Sequence, residues 1–64
     1  MKLFKIDAGT PLNKQILLYW EASKHFEDGK IFYSASDNKL HHCLFDGEQL
    51  NCEPSHWCYL PEVD

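Results

Sequence analysis

A chain of 64 residues is a single small domain, residues 1–64, able to bury only about 60% of its unfolded surface. Apolar residues make up 44% of it, nine of them aromatic, which excludes a disordered chain and leaves large rings to fill a small core. The net charge is −4, with six Lys and no Arg, which excludes the clustered basic surface that phosphate binding needs.

Leu3–Ile6 is a short apolar run ending at Asp7-Ala8-Gly9, a strand followed by a turn. Residues 10–27 carry two competing patterns. Thr10-Pro11 is a good helix start and Gly29 a good stop, with Leu12, Ile16, Tyr19, Ser23 and Phe26 on one helical stripe. Gln15–Glu21 is instead a compact apolar run of strand length. Periodicity alone leans slightly towards a helix over 11–26. Beyond it, Asp28-Gly29, Asp37-Asn38 and Asp46-Gly47 are turn dipeptides. They bound two β-favouring runs, 30–36 and 39–45, which read as a hairpin joined at Asp37-Asn38.

The last notable segment is Ser55–Glu62, where Trp57 sits ahead of Pro61. It reads as an anchored edge: an aromatic plug, then a rigid exit. His56-Trp57 and Leu60-Pro61-Glu62 match in type and spacing the ending His-Trp-Met-Pro-Leu-Pro-Glu. On these residues the chain resembles a family of short phage and prophage proteins, domain of unknown function 551. Pro11 followed by Ile16–Trp20 is similar to that family's earlier Pro and apolar strand. Cys58-Tyr59 stands where Met-Pro is commoner, and the family's aromatic opening is weak here. The resemblance implies a phage-encoded, β-rich domain, moves residues 15–22 towards a strand, and supplies no catalytic residue.

Two His-x-Cys triplets, His41–Cys43 and His56–Cys58, each place both groups on one side of a strand. If those strands paired in register, His41, Cys43, His56 and Cys58 would form a tetrahedral zinc site, with Cys52 as a substitute. Without a Cys-x-x-Cys knuckle, ordinary structural roles come first and no metal or other cofactor is expected. An odd number of cysteines and no apolar leader or membrane-length stretch point to free thiols in a bacterial host cytoplasm. A thiolate–imidazole pair has little room here for a pocket and an orienting group, so no enzyme is expected.

The aromatics Phe4, Trp20, Phe32, Phe45 and Trp57 are expected in the core. The alternative is an exposed hot spot drawn from Trp20, Tyr33, Trp57 and Tyr59. Residues 40–64 carry five acids and no Lys, against six Lys and five acids before them. Such an acidic half favours solubility or a binding rim, with an acidic mimic of nucleic acid as the sharper alternative.

These readings converge on a mainly β domain, a small antiparallel sheet of four to five strands, with one helix over 11–26 as the alternative. The expected function is a phage-encoded accessory protein that binds a host or phage macromolecule such as a bacterial enzyme or defence component, inhibition being one form that binding could take. Candidate binding residues are Tyr33, Trp57, Tyr59 and Glu62. The expected partner is a protein, with no direct nucleic-acid or membrane contact; a zinc-stapled interaction domain is the alternative. An unpaired edge strand would make a homodimer easy.

Overall fold

The computed structural model describes residues 2–60. Five strands form one antiparallel sheet: β1 (Phe4–Lys5), β2 (Ile16–Trp20), β3 (His25–Ser34), β4 (Lys39–Leu44) and β5 (His56–Cys58). Their order across the sheet is β1-β5-β2-β3-β4, so the last strand inserts between the first and second. There is no helix among the described residues. None is therefore long and apolar enough to cross a membrane.

The helix over 11–26 does not form. Thr10 serves a turn instead: its Oγ1 accepts from Asp7 N at 2.9 Å, and its own N–H donates to Asp7 O at 3.0 Å. Of the expected helical stripe, Ile16 is buried, while Leu12 and Phe26 stand exposed. A strand lets Ile16, Leu18 and Trp20 share one face and pair with β3 and β5 on either side. Tertiary pairing wins over a helical pattern that is only weakly encoded.

Asp28-Gly29 is likewise no turn but lies inside β3. Gly29 is needed for close approach: a Cβ there would lie 2.5 Å from Cys43 O and 2.8 Å from Leu18 Cδ1. The turn into β3 falls earlier, at residues 21–24, where Lys24 adopts φ 53° and donates to Glu21 O. The Asp37-Asn38 hairpin forms as expected, with Asn38 at φ 57° and Lys39 N donating to Asp37 Oδ1.

Pairing register assigns every strand residue to a face. The front face carries Ile16, Leu18, Trp20, Ile31 and Trp57, all buried, with Phe4, Ile6, Leu40 and Leu44 packed around them. This is the core. The segment after β4 folds back over it, burying Pro54. Trp20 and Trp57 are core as expected, whereas Phe45 is 78% exposed. Phe32 also departs from expectation, lying on the opposite face and stacking on His41. The parity is the reason: 41, 43 and 45 continue outward along one edge, and Phe32 pairs with His41.

Candidate binding surfaces

Tyr59 follows β5 and is 56% exposed. Its ring meets Trp57 edge-on at 4.9 Å between centroids and Phe4 at 6.3 Å, while Lys14 Nζ lies 5.2 Å from its centre. Trp57 in turn stacks on Phe4 at 4.9 Å. The alternation of β5 makes this arrangement, sending Trp57 and Tyr59 to the front. An exposed aromatic side chain is thereby flanked by the buried Trp57 and the half-buried Phe4, which restrict its rotamers and lower the entropic cost of binding.

Trp57, an expected binding residue, is only 5% exposed and acts as the support rather than the contact. Its Nε1 has no hydrogen-bond partner among the described residues. Tyr33 is 51% exposed, its hydroxyl donating to Asn38 Oδ1. It belongs to β3, with β2 between it and β5, so Tyr33 and Tyr59 are not neighbouring strand positions. Glu62 lies outside the described residues.

The His-x-Cys pairs also stay apart. His41 and Cys43 lie on β4, His56 and Cys58 on β5, and β2 and β3 run between those strands. Three interstrand steps separate them by about 14 Å, so the expected four-ligand set does not converge. Each histidine has another partner: His41 Nε2 meets Asp37 Oδ2 at 2.7 Å, and His56 Nδ1 meets Ser55 Oγ at 2.9 Å. The His41 contact holds the Asp37 carboxyl below its usual range. Burial pushes the Cys58 thiol up, keeping it protonated and a poor nucleophile. Cys52 is exposed in the segment that covers the core.

That segment is fastened by a residue with no obvious signal in the sequence, His42. The imidazole is fully buried. Its Nε2 accepts the Leu50 N–H at 2.9 Å, and its Nδ1 lies 2.9 Å from Glu53 Oε2. Since a backbone N–H can only donate, the Nδ1–H tautomer is required, donating to Glu53. Gln49 Nε2 donates to His42 O, and Trp20 Nε1 donates to Cys52 O at 2.8 Å. Alternation along the hairpin could have found it: His42 pairs with Ile31 and shares its face.

The outer face carries Leu17, Tyr19, Phe26, Phe32, Cys43 and Cys58 together with Asp28, Lys5, Lys30, Lys39, His41 and His56. Tyr19 and Phe26 pack at 4.5 Å between centroids. Phe45 extends this face, its N–H donating to Asp28 O at 3.0 Å. A shallow cleft of about 290 Å³ beside it is lined by Asn13, Gln15, Gly29, Lys30, Leu44 and Phe45. No cysteine–histidine pair opens into it. Comparison with known proteins finds no matching family model, no similar curated protein and no similar solved structure.

Proposed function

We propose that this chain is a phage-encoded, non-enzymatic accessory protein that binds a host or phage protein. The observation that carries the reading is the exposed Tyr59 ring, pre-organised by Phe4 and Trp57. Interfaces concentrate their energy in such rigid aromatic anchors. The resemblance of His56-Trp57 and Leu60-Pro61-Glu62 to the phage-protein ending supports the origin. The raised Cys58 thiol and the shallow cleft support a binding role over catalysis.

The test is a tagged capture from nuclease-treated bacterial lysate, run in parallel with Tyr59→Ala. One protein retained near 1:1, and its affinity reduced at least about tenfold by the substitution, supports the reading. Equal retention by the wild type and Tyr59→Ala contradicts it.

A further inference from the structure

The outward row of β3 reads Phe26, Asp28, Lys30, Phe32, centred on Gly29. Reversed and laid against itself, this row matches: Phe26 meets Phe32, and Asp28 meets Lys30. Neither charge has an ion-pair partner within the chain among the described residues. The remaining described acids sit elsewhere: Glu27 on the front face, the others in turns, loops and connecting segments. The outer face thus holds one strand acid, Asp28, beside Lys30, with Lys5 and Lys39 at its margins, on a chain of net charge −4.

From this self-complementary row we propose that the protein forms a face-to-face homodimer through its outer face. Its two-fold axis runs between the sheets, perpendicular to β3 and over Gly29. That operation lays β2 on β2 and β4 on β4 of the second copy. Cys43, opposite Lys30 in the ladder, then faces the second copy's Phe45, which sits opposite Asp28. Sheets packed in this way lie about 10 Å apart, close enough for Lys30 to reach across to Asp28. An isologous interface needs such a pattern, in which residue i contacts j and j contacts i. The contact is independent of the Tyr59 site, which lies on the front face, so the dimer presents two copies of that site pointing away from each other.

Charge reversal tests this directly. Asp28→Lys makes a row with two lysines and Lys30→Asp a row with two aspartates, so each repels itself but complements the other. Sedimentation velocity should show the wild type as a dimer at concentrations up to roughly 0.5 mM. Each single variant should self-associate at least about tenfold more weakly. An equimolar mixture of the two should recover a heterodimer, and Asp28→Lys/Lys30→Asp should dimerise again. Recovery on mixing also shows that both variants are folded. A monomeric wild type, single variants that dimerise like the wild type, or a mixture that stays monomeric would overturn the proposal. None of these outcomes bears on Tyr59, whose test is capture of a different protein.

Discussion

The two faces of this sheet are built from alternating residues of the same strands, yet they have different fates. On the front, Ile16 and Leu18 are fully buried beneath a segment fastened through His42 and Trp20. On the back, Leu17 and Tyr19, their sequence neighbours, are only partly covered. Both faces are apolar, so hydrophobicity alone does not select the core. The selection comes from what covers each face: Trp20 and His42 offer polar atoms that a returning loop can bond, whereas the outer face presents rings and a complementary charge pair. One face is closed within the chain, and the other is only partly covered by it.

The contrast is broken most severely at Trp57. Trp57→Ala removes the ring that joins Phe4, Tyr59 and the core, at about 3–5 kcal/mol. A chain of this size has only about 3–10 kcal/mol in total, so the variant is expected to lose cooperative melting, as circular dichroism would show. Next comes the fastening of the loop. His42→Leu keeps the volume but leaves Leu50 N–H without its acceptor and should cost about 1–3 kcal/mol, measured by urea unfolding. A loss no larger than that of an outer-face substitution would mean the loop is held by other contacts.

Smaller effects come from titration. Burial raises the Cys58 thiol above its ordinary 9.0. Its contribution to stability is therefore complete below the unfolded-state value and lost as pH climbs through the folded one. Asp37 works the other way: its carboxyl is held below 3.8, chiefly by the hydrogen bond to His41. Its contribution is present above the unfolded value and lost as pH falls through the lower folded one. Asp37 is surface-exposed, so the acidic edge should be shallow, and Asp37→Asn should remove it. Alkylation at pH 8 should modify exposed Cys52 first and Cys58 last; rapid Cys58 modification in the folded state would contradict its burial. At the bottom of the scale, Phe45→Ala should change stability by no more than about 0.5 kcal/mol, checked by the same unfolding curves.

The hairpin at Asp37-Asn38 was legible because local turn chemistry and tertiary pairing agree there. So was the placement of His56 and Cys58 on one side of β5, since strand alternation alone produces it. Residues Ile16–Trp20 were ambiguous for a physical reason. A strand apolar on both faces lacks the polar alternation that separates period 2 from period 3.6. Asp28-Gly29 misled because its glycine answers to a close approach between strands rather than to a turn. Phe45 and His42 depended on hairpin register, which sends the larger, more apolar side chain outward and buries the imidazole. The separation of the two His-x-Cys pairs rests on strand order, which local spacing does not encode.

The central claim, one face closed and the other open, is tested most directly by two adjacent leucines. Leu17→Ala and Leu18→Ala should be compared by urea unfolding at low protein concentration, where association contributes little. Leu18, fully buried on the front face, should lose about 2–5 kcal/mol, whereas Leu17 should lose less than about 1.5 kcal/mol. Equal losses, or a larger loss at Leu17, would contradict the assignment of faces on which the account depends.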